Sequence, residues 1–284
     1  MALLDAVPLT AMSQSGIAYA IRGSGEPVLF IPPAGTSSAI WSYYQVPAVL
    51  SAGYRAITID LPGTPPSKTL PKSYRLQDFT VDAIEFMEEL GVPSCHVVGA
   101  SLGAMIAQEL AVARPNLVLS LALLGTRSRT DFFRKAIAHA AEERASVDGP
   151  VTQLDAVAQL TQLFSAKTLA DDRVAADWHA VFSHFLPRGP GPAAQYRASV
   201  AADSTVRLAD IQCPCLVVSF AEDLITPPAL CREVASAIRG AELVEVSDAG
   251  HFGFLENPIM VNEILLNFLS EKSVRRGLEG CHVT

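Results

Sequence analysis

The apolar positions along this chain fall into two similar series separated by a stretch of another kind. Short, nearly continuous apolar runs recur at 17–21, 28–31, 54–60, 96–99 and 118–124, each bounded by glycine, proline or polar residues, and each predicts a strand. Between them, residues 38–51 predict a helix. Phe79, Ala83, Phe86, Met87 and Leu90 recur at helical spacing and predict an amphipathic helix that stops at Gly91. Leu102, Met105, Ile106 and Leu110 predict another, ended by Pro115. Strands that are apolar on both faces and alternate with helices imply an α/β fold: a mostly parallel central sheet with helices on both faces.

From 127 to about 205 no run predicts a strand. Leu154, Val157, Leu160, Leu163 and Phe164 suit one helix, Val174, Trp178, Val181, Phe182 and Phe185 suit another, and 187–192 reads as a Pro/Gly loop. The pattern then returns, with strands at 216–220 and 243–246 and helices at 228–238 and 260–269. The expected organisation is a core in two parts, 1–126 and 206–284, interrupted by an inserted helical cap at 127–205. The tail after Lys272 is expected to be loosely held.

Half of the 284 residues are hydrophobic and 18% are charged, which supplies a large core. A net charge of −8 excludes the basic field a nucleic-acid surface needs. No run approaches the ~18 apolar residues that span a bilayer, and residues 1–16 lack the basic start and apolar block of a secretory signal. The five cysteines follow no paired framework, so reduced thiols and a cytoplasmic setting are expected. Cys213-Pro214-Cys215 opens an apolar strand without a nearby Cys/His pair and reads as structural, with no metal.

The chemistry concentrates at three places. Gly99-Ala100-Ser101-Leu102-Gly103 lies between a predicted strand and a predicted helix, where two glycines allow a cramped turn that exposes the serine hydroxyl. A serine hydroxyl is a weak nucleophile, so it needs a base, and the base needs an orienting acid. Asp223 follows the strand ending at Phe220, and His251 follows the strand ending at Val246. Both therefore fall at the strand ends where catalytic groups of open α/β sheets gather. Glu222 and Asp248 compete with Asp223 for the acid's place.

These motifs resemble those of the α/β-hydrolase superfamily over nearly the whole chain. They are similar to its capped esterase and lactonase-like branch, which includes enol-lactone and C–C bond hydrolases. The likeness rests on Gly99-Ala100-Ser101-Leu102-Gly103, on Asp223 before Leu224-Ile225-Thr226-Pro227-Pro228, and on Ala249-Gly250-His251 before Leu255-Glu256-Asn257-Pro258. It implies catalytic roles for Ser101, Asp223 and His251, and structural roles for Asp60 and Glu256 in loops near the site. One departure stands out. The family's His-Gly-x-Gly segment is replaced here by Pro32-Pro33-Ala34-Gly35. An oxyanion hole needs two backbone N–H donors, and proline has none. The implied donors are Ala34 and Leu102. A second departure is the proline-rich segment at 60–67.

The resemblance further implies hydrolysis of an ester, lactone or thioester of a small, largely apolar molecule through an acyl-serine, without cofactor. The cap offers Phe132, Phe133, Trp178, Phe182, Phe185 and Tyr196, with Arg188 and Arg197 as possible carboxylate partners. Helical spacing assigns most of these to packing, and Phe132, Trp178 and Phe182 are the named candidates for substrate contact. Two other classes stay open: an acyltransferase or lyase using the same three residues, and a ligand receptor built on a hydrolase scaffold.

Overall fold

The apolar runs assemble into one eight-stranded sheet in the computed structural model, which describes residues 11–147, 149–185, 187–200 and 205–280. The strands are β1 (Ala11–Met12), β2 (Ala18–Arg22), β3 (Pro27–Ile31), β4 (Arg55–Ile59), β5 (Cys95–Ala100), β6 (Val118–Leu124), β7 (Cys215–Phe220) and β8 (Glu242–Val246). Their spatial order is β1-β2-β4-β3-β5-β6-β7-β8. β1 and β2 pair antiparallel, as do β2 and β4, and every other neighbouring pair is parallel.

The helices are α1 (Gln45–Ser51), α2 (Leu76–Glu89), α3 (Leu102–Ala113), α4 (Phe132–Ser146), α5 (Gln153–Leu163), α6 (Ala166–Ala170), α7 (Asp172–Phe185), α8 (Pro190–Val200), α9 (Pro228–Ala237), α10 (Gly253–Glu256) and α11 (Pro258–Gly280). Alternate residues of each central strand serve opposite faces, as the pleat dictates. Leu29, Val97, Leu121 and Val217 pack with α2, α3 and α9, while Val28, Val98, Ala122 and Val218 pack with α1 and α11. All six residues of β5 and of β7 are buried, which explains why these strands read as nearly continuous apolar runs, broken only by His96 and Ser219.

Winding reverses between β3 and β5: the chain steps from β3 outward to β4, then returns to the other side of β3. Loops leaving β3 and β5 diverge there and open a crevice at the carboxyl ends of the strands. Ile31 pairs with Gly99, so the Pro32–Gly35 segment and Ser101 leave the sheet side by side.

Some boundaries differ from expectation. The helix expected over 38–51 is a 3₁₀ turn at Ser38–Ser42 followed by α1. The Pro/Gly loop expected over 187–192 ends early, because α8 begins at Pro190. Proline is tolerated in a first helical turn, where its missing N–H has no intrahelical acceptor to lose. Between β6 and β7 the described residues hold α4 to α8 and no strand. α11 runs on past Lys272 to Gly280; residues 1–10 and 281–284, with Cys281 and His282, lie outside the described residues. No helix among the described residues is long and apolar enough to cross a membrane.

Candidate active site

Ser101 occupies the single residue between β5 and α3, with φ 53° and ψ −116°, a strained conformation for a residue with a Cβ. Its N–H is held by the Leu124 carbonyl at 3.0 Å. The flanking glycines are required by close approach. A Cβ on Gly103 would lie 2.1 Å from the Ile31 carbonyl oxygen, and one on Gly99 would lie 2.4 Å from that of Gly103. The turn can be this tight only because neither residue has a side chain.

Asp223 sits in the loop after β7, 2% exposed, and its two oxygens have separate tasks. Oδ1 accepts the N–H groups of Ile225 and Thr226, both at 2.8 Å. Oδ2 accepts the Thr226 hydroxyl at 2.8 Å and faces His251 Nδ1 at 2.8 Å. Burial alone raises the Asp223 carboxyl, but the His251 charge and the bonds from His251 and Thr226 outweigh it and hold the group below its ordinary value. With Nδ1–H donating to the carboxylate, the lone pair of the imidazole is left on Nε2. No Ser101–His251 hydrogen bond is formed among the described residues; the two side chains are brought together as walls of one cavity.

The competing carboxylates are engaged elsewhere. Glu222 accepts the Ala166 N–H at 2.8 Å, and Asp248 pairs with Lys167 at 3.1 Å. Glu256 accepts the Gly250 N–H at 2.6 Å and, through its other oxygen, the Ser165 N–H and hydroxyl at 2.8 and 2.6 Å. The Phe252 N–H reaches the Leu163 carbonyl at 2.9 Å. Residues 163–167 are thus stitched to the loops that follow β7 and β8. Asp60 accepts the Ser38 N–H at 2.6 Å, with its carboxyl raised by burial against the lowering effect of that bond.

Ala34 and Leu102 both line the cavity, and among the described residues neither N–H is spent on an acceptor within the chain. Gly35, next to Ala34, donates its N–H to Gln195 of α8 at 2.6 Å.

Of the three named aromatic residues, Phe182 lines the cavity. Trp178 does not: it packs on Phe164 and Phe182 with ring centres 5.0 and 6.3 Å away. Phe132 opens α4, is 86% exposed and is not among the cavity walls. Arg188 is bound by Asp155 and three backbone carbonyls, and Arg197 by Glu142; neither reaches the cavity.

Three other arginines do line it: Arg127, Arg134 and Arg144. Sequence reasoning missed them, although two of them fall on a periodic face. Arg134, Ile137, Ala138, Ala141 and Arg144 recur at helical spacing on one face of α4, and all five face the cavity.

Residues 26–258 match the family profile described as "alpha/beta hydrolase fold". BpoC of Mycobacterium tuberculosis, which carries a non-heme bromoperoxidase name, is 40% identical over 259 residues, covering 89% of this chain and 97% of that protein. Its crystal structure superposes with a TM-score of 0.85 at 38% identity, covering 90% and 96% of the two chains. The enol-lactonase from Burkholderia xenovorans LB400 superposes with a TM-score of 0.81 at 27% identity over 92% and 99%. A pimeloyl-[acyl-carrier protein] methyl ester esterase of Chromobacterium violaceum is 31% identical over 243 residues, 83% of this chain and 91% of that one. With its eight-stranded sheet and these relatives, the chain belongs to the α/β-hydrolase family and is an enzyme of that fold.

Proposed function

We propose that the protein is a serine hydrolase that cleaves an ester, lactone or thioester of a small molecule through Ser101, His251 and Asp223. The observation that carries this reading is the 2.8 Å Asp223–His251 bond in the wall of a cavity that also exposes Ser101 at its strand–helix turn.

His251 Nε2 takes the hydroxyl proton as Ser101 Oγ attacks the carbonyl carbon, and Asp223 stabilises the imidazolium that forms. The oxyanion accepts the N–H groups of Leu102 and Ala34. Collapse expels the leaving alcohol or thiol, protonated by His251, and leaves an acyl-serine. Water, deprotonated by the same imidazole, releases the acid and restores Ser101. A Ser101–His251 contact that closes only when substrate arrives is common in resting enzymes. The substituted Pro32-Pro33 pair is compatible with this chemistry because the donor required is the next residue.

The test is intact mass after exposure to a fluorophosphonate, with Ser101→Ala as control, beside a panel of short-chain esters. One adduct, absent from S101A, together with ester turnover supports the reading. Labelling without turnover points to an acyltransferase or lyase, which the relatives' hydrolytic names favour less.

A further inference from the structure

The cavity is lined by three arginines and by no aspartate or glutamate. Arg134 is already neutralised, since it pairs with Asp131 at 2.8 Å and donates to the Leu224 and Ile225 carbonyls. The other two are not. Arg127 is 4% exposed, and among the described residues the one hydrogen bond its side chain makes is from Nη2 to the Ser199 carbonyl at 2.8 Å. Its Nε is buried without a partner. Asp131 and Asp223 lie close enough to favour its charge, but neither bonds to it. Arg144 lies close enough to the Tyr196 hydroxyl and to Asp155 to act on both, no carboxylate among the described residues bonds to it, and its Nε is also buried without a partner there.

One turn of α8 gathers the two. Tyr196 and Ser199 are three residues apart, on the same face of that helix; the Ser199 carbonyl holds Arg127 and Tyr196 stands beside Arg144, and all four line the one cavity. Leaving a guanidinium buried without a carboxylate is costly, and the planar fork is suited to a carboxylate's two oxygens. Burial pulls Arg127 down to about 10, which still leaves it cationic at neutral pH. Ile137, Ala138, Leu163 and Phe182 give the cavity apolar walls, Gln159 and Gln162 add neutral polar groups, and the cationic groups free to meet an anion are Arg127 and Arg144.

We infer that Arg127 and Arg144 form a carboxylate subsite, so that the substrate is a short ester or lactone carrying a free carboxylate in addition to its scissile carbonyl. This rests on the serine-hydrolase reading of the same cavity. It narrows the expectation of a small, largely apolar substrate, and it gives the part of carboxylate partner to Arg127 and Arg144 in place of Arg188 and Arg197.

The test compares monomethyl succinate and monomethyl glutarate with methyl 4-methylpentanoate and methyl 5-methylhexanoate, in which an isopropyl group replaces the carboxylate. Turnover is followed by proton release at constant pH. In the wild type the anionic esters are preferred in kcat/KM by about 10- to 100-fold, the range expected of charged hydrogen bonds. Arg127→Met and, independently, Arg144→Met reduce that ratio at least tenfold. Arg127→Lys retains part of it, and Arg129→Gln, on the surface beside Glu233, keeps it. A second arm measures melting temperature with succinate or glutarate against sodium chloride of equal ionic strength; the dicarboxylates raise it in the wild type and less so in R127M. Equal kcat/KM for both ester types, or a ratio unchanged in the two methionine variants, overturns the inference while leaving the hydrolase reading intact. Dicarboxylate stabilisation lost in R127M, without turnover of any ester or labelling of Ser101, supports the subsite and sinks the hydrolase reading instead.

Discussion

Gln195 Oε1 accepts the Gly35 N–H at 2.6 Å while the same side chain's amide donates to the Pro62 carbonyl at 2.8 Å and the Thr64 hydroxyl at 3.0 Å. One fully buried side chain of α8 therefore fixes both proline-rich loops, and through Gly35 it sets where the Ala34 N–H points.

Gln195→Ala leaves those three polar groups without their partner. It is expected to lower stability by about 2–4 kcal/mol and kcat by about 10- to 100-fold, with a smaller change in KM. Urea unfolding and steady-state kinetics on one ester separate the two effects. Wild-type kcat in a destabilised Q195A protein would show that the Ala34 loop holds its geometry unaided.

Asp223→Asn is expected to fold and to lose about 10⁴-fold in kcat. Because two backbone N–H groups converge on Oδ1, the asparagine oxygen takes that place and its NH₂ faces His251. The imidazole must then accept at Nδ1, which puts its proton on Nε2, where a base is needed. Kinetics on the folded variant, checked by circular dichroism, tests this.

The depressed Asp223 carboxyl also predicts a stability profile. Its ionised form is favoured by folding, so the contribution is complete above the ordinary aspartate value near ~3.9. It is lost as pH falls from there through the lower folded-state value. Urea midpoints of wild type and D223N between pH 6 and pH 2.5 should differ by a constant amount at first and converge in the acid range. A difference that narrows well above pH 4 would contradict a depressed carboxyl.

Gly125 lies beneath the acid–base pair with φ 55°. A Cβ there would stand 3.2 Å from Asp223 Oδ2 and from Thr226 Oγ1, and 3.5 Å from His251 Nδ1. Gly125→Ala is expected to cost about 1–2 kcal/mol for the left-handed backbone. Displacing the carboxylate lowers kcat toward ~100-fold, the scale of an ångström's misplacement. Melting temperature and kcat measured on the same preparation check both. Unchanged kcat would mean that the Asp223 loop gives way without disturbing the imidazole.

The sheet was legible in the sequence because its strands are buried on both faces and each apolar run therefore stands out against its turns. Ser101, Asp223 and His251 were legible as candidates because each sits just beyond such a run. The cavity's charge was not. Arg134 and Arg144 interrupt the apolar stripe of α4, and in a pattern of hydrophobic and polar positions an inward arginine reads like an outward one. Arg127 carries no periodic signal, being a loop residue just after β6. Phe132 shows the opposite case, an aromatic residue that reads as a contact but opens α4 exposed to solvent. Gln195 was invisible for a different reason: its partners lie 131 to 160 residues away, and nothing local distinguishes it from a surface glutamine.

The stitching of residues 163–167 to the His251 loop has a consequence for how such enzymes can be recombined. Glu256 grips Ser165 with one oxygen and the Gly250 N–H with the other, so residues 163–167 and the His251 loop are joined through one side chain. A chimera that imports α4 to α8 from a relative but keeps the native 249–256 segment breaks that grip and misaligns the base. Its fault would then pass for poor substrate fit. Exchanged together with the Glu222 and Asp248 positions, which also hold residues 166 and 167, the segments form a transplantable cassette that carries its own base in register.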